Sequence, residues 1–241
     1  NLAMTIISSG GFLPTNSLSQ IIKTNTQEII LCIAFLFSAL NIFFLINLFK
    51  RNNIIADHSE DFLIIFTVFI ATITLFFLIN DLSFLETLIN ILSSISTSGI
   101  TTNKLSGNYS LFFLFLTIVG GSLMSNTSGV KILRFYILLK ASFLEIFKLV
   151  KPNNIVNQNI LYSNNKINNE TVKLSFFIFI SFFISIFFLS SLLLFDQINF
   201  ENSFKLSILT LTNTVNNGIY GLTDINFSNL LTYSKILIII F

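Results

Sequence analysis

Three stretches of this chain run for about twenty residues without a charged side chain. They are residues 29–49, 62–79 and 174–195, which contain 21, 18 and 22 residues. A helix needs roughly 20 apolar residues to cross the hydrocarbon core of a bilayer. The sequence therefore predicts three complete membrane-spanning helices and, as the fold class, an all-α polytopic membrane protein.

The composition excludes most classes of soluble protein. Of the 241 residues, 53% are hydrophobic and only 10% are charged, whereas a soluble domain has about 25% charged residues. The net charge of +2 is too small to indicate a nucleic-acid partner. One cysteine, Cys32, excludes an intrachain disulfide and argues against a metal site. Because the chain starts at Asn1 and stops inside the apolar run KILIIIF, we expect a fragment cut at both ends.

A fourth uncharged stretch has a polar centre. Between Lys104 and Lys131 lie 26 uncharged residues, but residues 120–129 read GGSLMSNTSG. Backbone that leaves a helix at membrane depth is tolerated only where protein or a water-filled cavity surrounds it, because lipid offers no hydrogen bonds. This stretch therefore predicts a broken span beside a pore or cavity.

The cationic residues orient the chain. Nine of its 13 Lys and Arg residues fall within residues 50–61 and 131–173, and such clusters mark the cytoplasmic side. The opposite side is net acidic, which concentrates cations near the membrane surface.

Residues 81–96 are apolar but too short to cross the membrane. They begin with the capping-box spacing of Ser83 and Glu86 and are followed by the polar turn TSGITTN. This pattern predicts a helix that enters from outside, stops midway and returns through a loop. The negative end of the helix dipole and the loop carbonyls would then stabilise a cation, with Gly99 supplying backbone freedom.

The same pattern recurs along the chain. A shift of 116 residues lays residues 83–99 on residues 199–215, and the start of the chain, IISSGGF, is similar to the tail of a third copy. The organisation is therefore a span, a re-entrant segment and a span, repeated.

These motifs identify a family. IISSGGF, SISTSGITT and above all GGSLMSNTSGVKILRFYILLK followed by KLVKPN resemble the TrkH/KtrB potassium-uptake subunits, whose superfamily includes the plant HKT transporters. The resemblance covers nearly the whole chain and implies a pseudo-fourfold pore built from repeated units of helix, re-entrant pore helix with filter loop, and helix. It implies that residues 1–50 end the second unit, 51–150 form the third with its broken gating span, and 151–241 form the fourth, truncated in its last span.

The resemblance also implies the positions of the ion-binding filter. The second loop would contribute Ser8, Ser9, Gly10 and Gly11, and the third loop Ser96, Thr97, Ser98 and Gly99. The fourth loop has two possible registers. The internal repeat favours Thr212, Asn213, Thr214 and Val215, whereas the family's glycine favours Asn216, Asn217 and Gly218. In the first register Val215 takes the glycine position, and a β-branched residue disfavours positive φ.

The broken span resembles the family's intramembrane gating loop. The implied gate residues are Gly120, Gly121, Ser122, Ser125, Asn126, Thr127, Ser128, Gly129, Lys131 and Arg134. The glycines let the helix unwind, and the polar side chains satisfy freed backbone groups. Lys131 and Arg134 either face the closed pore or extend to the inner membrane surface.

The function implied by the resemblance is K⁺ uptake, with Na⁺ as a further candidate ion, across the bacterial inner membrane. The implied partners are membrane lipid, a second copy in a homodimer and a cytoplasmic TrkA-like nucleotide-binding regulatory subunit. We expect no prosthetic cofactor, since K⁺ is only the transported ion, and no enzymatic activity, since catalytic clusters and phosphate-binding motifs are missing from the sequence.

Two other classes of protein stay as alternatives. A proton- or sodium-coupled secondary transporter or symporter for another solute would need a membrane-embedded carboxylate, for which Glu145 is the main candidate. An enzyme or receptor would need clustered polar residues.

The isolated polar residues have simpler explanations. His58 is expected to be a solvated loop residue, and Asn41 and Asn47 are expected to form hydrogen bonds between helices.

Overall fold

The computed structural model describes residues 2–13, 18–50, 58–79, 82–102, 107–150, 159–160, 166–216, 218–222 and 230–241. Their α-helices are α1 (Leu2–Ile7), α2 (Asn25–Ala39), α3 (Ile42–Lys50), α4 (Ser59–Leu78), α5 (Phe84–Ile95), α6 (Ser110–Val119), α7 (Ile132–Val150), α8 (Asn169–Leu193), α9 (Phe200–Leu211) and α10 (Thr232–Ile240). Within these ranges there is no strand, only an isolated bridge between Asn159 and Lys166. The predicted all-α class is confirmed.

Two of the described helices are long and apolar enough to cross a membrane. One is α4, and the other is α8 with the short 3₁₀ turn that extends it to Asp196. They correspond to predicted spans 62–79 and 174–195, each beginning a few residues earlier than predicted. Large apolar side chains on both helices are exposed, including Phe66, Phe77 and Phe177. An outer surface of this kind suits lipid rather than water.

The predicted span 29–49 is wrong as a continuous helix. It is divided into α2 and α3, and the chain is extended at Leu40. Asn41 begins the second piece, because its Oδ1 accepts a hydrogen bond from the Phe43 N–H at 2.9 Å. The Asn41 N–H in turn donates to Asp61 Oδ1 of α4 at 2.8 Å. Asparagine favours helix starts over helix interiors because its side chain can accept such a bond from the backbone. The Asp61 carboxylate satisfies the Asn41 N–H, which the break leaves without a helical partner.

The half-length helix predicted from residues 81–96 is present as α5. Its capping box is formed, since the Ser83 hydroxyl accepts from the Glu86 N–H and the Glu86 carboxylate accepts from the Ser83 N–H. The 12 residues of α5 extend about 18 Å, roughly half a membrane thickness. Packing against α2, α4 and α6 buries almost the whole helix. The corresponding helix α9 also has 12 residues and packs against α8 and α6.

The predicted break in the fourth uncharged stretch is also present. Helix α6 ends at Val119, α7 begins at Ile132, and the intervening residues form no regular helix. We call residues 120–131 the gate loop. Its first and last parts lie side by side, because the Val130 N–H donates to the Ile118 carbonyl at 2.8 Å. The loop is thus a compact element inside the helical bundle.

Candidate functional site

Three short helices, α1 with six residues and the half-length helices α5 and α9, end in the same backbone conformation. The second residue after each helix is left-handed: Ser9 and Thr97 have φ of 55° and Asn213 has φ of 50°. This conformation is uncommon for residues other than glycine, and especially so for a β-branched threonine. The left-handed conformation therefore recurs at the same position of each copy of the sequence repeat.

The hydrogen bonds after the three helices are also equivalent. The Gly10 N–H donates to the Thr5 carbonyl at 2.8 Å, Ser98 N–H to Ser93 at 3.1 Å, and Thr214 N–H to Leu209 at 2.8 Å. Each bond spans five residues around a left-handed residue, which is the Schellman arrangement that closes a helix C-terminus. The chain therefore turns sharply at the carbonyl end of each half-length helix.

The three loops that follow these helices contact one another. A Cβ atom added to Gly11 would lie 1.8 Å from the Ser98 carbonyl oxygen and 2.8 Å from the Val215 side chain. A Cβ atom on Gly99 would lie 2.2 Å from the Val215 carbonyl oxygen. Both glycines also have positive φ, at 65° and 73°. Only glycine satisfies both requirements, and the structure thus brings the second, third and fourth loops around one point.

The fourth loop follows the register of the internal repeat. Thr212, Asn213, Thr214 and Val215 occupy the positions equivalent to Ser96, Thr97, Ser98 and Gly99, but Val215 does not adopt positive φ. In the alternative register, the Asn216 amide donates to the Leu222 carbonyl at 3.3 Å, and Gly218 begins a 3₁₀ turn. Asn217 lies outside the described residues.

Hydroxyl groups of these loops bond mainly to the protein around them. Ser9 Oγ lies 3.3 Å from Ser38 Oγ, Ser98 Oγ lies 3.1 Å from Ser93 Oγ, and Thr212 Oγ1 lies 2.9 Å from Thr214 Oγ1. The side chains thereby hold each loop against its own helix or its neighbour.

Two residues that support the loops were not identified from the sequence. Asn90 is fully buried in α5, where its Oδ1 accepts from the Thr102 N–H at 3.2 Å and its amide donates to Thr102 Oγ1 at 3.2 Å. Tyr220, also fully buried, places its hydroxyl 3.5 Å from Ser94 Oγ. The sequence feature that could have identified Asn90 is its position within the apolar run LINIL.

The gate loop contacts the ends of two half-length helices. The Asn126 side-chain amide donates to the Ile7 carbonyl at 3.0 Å, and the Ser128 N–H donates to Thr97 Oγ1 at 3.2 Å. Gly120 and Gly129 have φ of 66° and 89°, which allows the helix to unwind at both ends of the loop. The predicted gate residues therefore lie directly beside the predicted filter residues.

Polar side chains hold the gate loop together from within. Lys131 folds back so that its ammonium donates to Ser125 Oγ at 3.2 Å, to Thr127 Oγ1 at 3.1 Å and to the Thr127 carbonyl. The Gly121 N–H donates to Thr127 Oγ1 at 3.0 Å. Arg134 donates to the Val130 carbonyl at 3.2 Å. Lys131 thus turns inward to the loop and does not extend to the membrane surface.

A second polar cluster lies against the gate loop from α2 and α4. The Ser122 N–H donates to the Ala39 carbonyl at 3.0 Å, next to the break between α2 and α3. The half-buried Glu60 carboxylate lies beside the Leu123 backbone and the Lys131 ammonium, both of which favour its negative charge. The Asn41 amide lies 3.5 Å from Glu60 Oε1. Glu60 therefore joins the start of α4 to the gate loop.

The expectation that His58 is a solvated loop residue is wrong. Only 4% of the residue is exposed, its Nδ1 lies 3.3 Å from Asp61 Oδ2, and its Nε2 lies 2.9 Å from the Asn47 amide. Asp61 is fully buried. The ring is enclosed because α3 folds back beside α4, a packing that the break at Asn41 makes possible. Asn41 and Asn47 do form the predicted hydrogen bonds between helices.

The comparisons with known proteins agree with this architecture. No protein-family model matches the chain. A curated relative, an uncharacterized cation transporter of Methanocaldococcus jannaschii, is 27% identical over 165 residues, which are 65% of this chain and 33% of the relative. The crystal structure of the potassium transporter TrkH from Vibrio parahaemolyticus superimposes with a TM-score of 0.84 at 19% identity over 98% of this chain. This chain has the TrkH fold.

The TrkH match confirms, at the level of fold, the resemblance found in the sequence motifs. It is the fold of a helical membrane transporter and not of an enzyme, as predicted. The chain spans about a third of the curated relative and about half of the TrkH chain, at 33% and 53% of their lengths.

Proposed function

We propose that this chain forms part of a membrane pore that conducts K⁺ inward through a carbonyl-lined filter. The observation that carries the proposal is the mutual contact of Gly11, Ser98, Gly99 and Val215 at the ends of half-length helices. Three C-terminal helix dipoles then point their negative ends at one place, where a cation is stabilised. The solved structure is of a potassium transporter and the curated relative is named a cation transporter, which supports this choice of cargo.

The pore would be assembled from repeated units. We assign residues 1–50 to the end of a second unit, 51–150 to a third and 151–241 to a fourth. A pore built from four loops needs a first loop in addition to the second, third and fourth loops. We assign that first loop to sequence outside this chain, since the TrkH chain is about twice as long.

The filter would work by replacing water around the ion. Backbone carbonyls of the three loops offer oxygen dipoles in place of the hydration shell. An inside-negative potential contributes about 2.3 kcal/mol per charge per 100 mV to inward movement. Because Val215 lacks the positive φ of Gly11 and Gly99, its carbonyl is oriented differently, and we expect K⁺ over Na⁺ selectivity to be weaker than in a filter with four glycines.

The gate loop would close the pore beneath this filter. It contacts the ends of α1 and α5 through Asn126 and Ser128, and its Lys131 places a positive charge there that opposes K⁺. Glu60 holds the loop from the side of α4. Opening would require these hydrogen bonds to break and the loop to move as a unit.

The localisation and partners follow from the same proposal. We place the protein in the bacterial inner membrane as a multi-pass homodimer, with a cytoplasmic TrkA-like nucleotide-binding regulatory subunit. The basic connector, residues 148–173, would contact that subunit through Lys148, Lys151 and Lys166, of which Lys151 lies outside the described residues. Neutralising all three in the full-length parent should weaken co-purification with the subunit, and unchanged binding would refute the contact.

A coupled secondary transporter is the second candidate, and one observation bears on it. The predicted carboxylate, Glu145, is 71% exposed and pairs with Lys148 at 2.8 Å, so it is not enclosed by protein as a coupling site would require. The fully buried carboxylate is instead Asp61, beside His58. Coupling would therefore be expected to depend on Asp61.

Rubidium uptake by the full-length parent in a potassium-uptake-deficient host separates the two candidates. If the protein is a pore driven by the membrane potential, it takes up rubidium without an imposed proton or sodium gradient. The Asp61→Asn variant should then do the same. Uptake that needs such a gradient, and loses that need in Asp61→Asn, would favour coupling. No rubidium uptake under either condition would refute the K⁺ proposal.

A further inference from the structure

A cavity of about 500 Å³ lies where the start of α7 meets the start of α8. Leu133, Ile137 and Leu174 form apolar walls, Arg134 and Lys166 contribute two cations, and Leu123 of the gate loop closes one side. None of the proposed ion-conducting loops lines this cavity. It therefore needs an explanation of its own.

The cavity is electrostatically suited to an anion. The Arg134 hydrogen bond to the Val130 carbonyl uses only Nη1, and a guanidinium has five N–H donors. Lys166 is exposed, and no side-chain acceptor for its ammonium is found in the described part of the chain. The 25-residue helix α8 begins here, and the positive end of its dipole adds to both cations. The carboxylates nearest in sequence, Glu170 and Glu145, do not line the cavity.

The apolar walls define what kind of anion fits. Leu174 is 61% exposed on α8, a helix long and apolar enough to face lipid. The walls therefore continue from the cavity onto a surface suited to acyl chains. Free phosphate would satisfy the cations but leave these walls in contact with water. Basic pockets between helices on the cytoplasmic side of a membrane are typical sites for phospholipid headgroups.

We propose that this cavity binds the phosphate of an anionic phospholipid between Arg134 and Lys166, with an acyl chain along Leu174. The bound lipid contacts the gate loop at Leu123, which lies beside the Glu60 carboxylate. Lipid occupancy thereby stabilises one position of the gate loop. This last step rests on the proposed pore function, whereas lipid binding itself does not.

The first experiment measures lipid retention by the purified full-length parent, using native mass spectrometry with added phosphatidylglycerol or phosphatidylcholine. The wild-type protein should retain phosphatidylglycerol preferentially, and Arg134→Gln with Lys166→Gln should weaken it roughly 30-fold, since each cation near a membrane contributes about a factor of five. Lys173→Gln is the matched control, because Lys173 is exposed on the same helix but does not line the cavity.

A charge-preserving double variant, Arg134→Lys with Lys166→Arg, should keep the preference for phosphatidylglycerol and so exclude misfolding as the cause. Equal retention of phosphatidylglycerol by wild type and the glutamine double variant would overturn the site. Displacement of the lipid by millimolar inorganic phosphate would show a phosphate site instead and would overturn the lipid assignment.

A second experiment tests the link to the gate by rubidium flux in vesicles with and without phosphatidylglycerol. Flux should respond to phosphatidylglycerol in wild type and in Lys173→Gln but not in the glutamine double variant. An identical response in all three proteins would overturn the link, even if the lipid binds. Loss of phosphatidylglycerol binding in the glutamine double variant would support the site whatever its basal flux, because lipid retention is measured independently of the proposed pore function.

Discussion

The three loops that we propose as the ion filter, the filter loops, differ from the gate loop in what holds them to their neighbours. Each filter loop begins with a Schellman turn, and glycines of the second and third loops lie against a neighbouring carbonyl. The gate loop has close glycine–carbonyl contacts of its own, at Gly120 and Gly129, but its hydrogen bonds to the ends of α1 and α5 involve the side chains of Asn126 and Thr97. Because each of these bonds can break separately, they suit a loop that moves against its neighbours, as we propose for the gate.

A smaller contrast exists within the filter. The third loop has Asn90 behind it, which holds Thr102. In the fourth loop the equivalent positions, 116 residues later, are Leu206 and Gly218, and neither side chain can make these bonds. The third loop therefore has support that the fourth lacks, although both begin with the same turn.

The largest effect is expected at Gly99. Gly99→Val would put side-chain atoms 2.2 Å from the Val215 carbonyl oxygen and force a β-branched residue to positive φ, which costs about 1–3 kcal/mol before the clash is counted. Rubidium uptake by the full-length parent should fall at least about tenfold. Val215→Gly is the matched control and should keep uptake. Wild-type uptake and selectivity in Gly99→Val would remove this residue from the filter.

A graded effect is expected at the gate. Glu60→Ala removes the carboxylate that lies beside the Leu123 backbone and the Lys131 ammonium, and polar interactions with a charged group contribute about 1.5–3 kcal/mol. Basal rubidium uptake without the regulatory subunit should rise by roughly tenfold or more. The control is Glu145→Ala, an exposed carboxylate that pairs only with Lys148 in the described structure. A fall in uptake, or equal changes in both variants, contradicts the gating role.

Asn90→Leu should make the third loop resemble the fourth. The change leaves the half-buried Thr102 backbone N–H without its acceptor, which costs about 1–3 kcal/mol. Thermal unfolding of the full-length protein should shift down by a few degrees, and discrimination of K⁺ against Na⁺ should decrease. Leu206→Asn is the reciprocal variant. It should not improve discrimination, because Gly218 offers no side chain for the new amide to hold, and it should lower the melting temperature, because it places a polar group at a buried core position. An unchanged melting temperature and unchanged selectivity in Asn90→Leu would show that this support is dispensable.

The smallest effect is expected from Asn126→Ala, which removes one hydrogen bond between the gate loop and the Ile7 carbonyl. A neutral bond of this kind contributes about 0.5–1.5 kcal/mol. Basal uptake should rise about two- to tenfold, less than in Glu60→Ala. If Asn126→Ala exceeds Glu60→Ala, the gate loop is held mainly from α1, and the assignment of Glu60 as its principal contact is incorrect.

Local sequence features predicted the elements of the fold well. The uncharged runs located α4 and α8, and the Ser83–Glu86 spacing located the start of α5, because length, hydropathy and capping act within one turn or one helix. The 116-residue repeat also predicted which residue of the fourth loop follows the helix turn. These predictions needed no knowledge of the neighbouring helices.

Predictions that depend on neighbours were wrong or missing. Residues 29–49 look like one span, but the break at Asn41 is stabilised by Asp61 from another helix. His58 looks like a loop residue, but α3 and Asp61 enclose it. Glu60 and Asn90 were not identified, since Leu123, which lies beside Glu60, and Thr102, which Asn90 bonds, are 63 and 12 residues away in the chain.

By itself, the sequence determined that the chain is helical, suited to a membrane and built from repeated half-length helices with polar turns. Hydrophobicity, capping and turn preferences are properties of short segments, so they can be predicted without tertiary contacts. Only the tertiary structure decided that the three loops meet, that Val215 stands against Gly99, and that Glu60 reaches the gate loop. Those are contacts between distant segments, and their energies depend on distances that only the folded chain brings about.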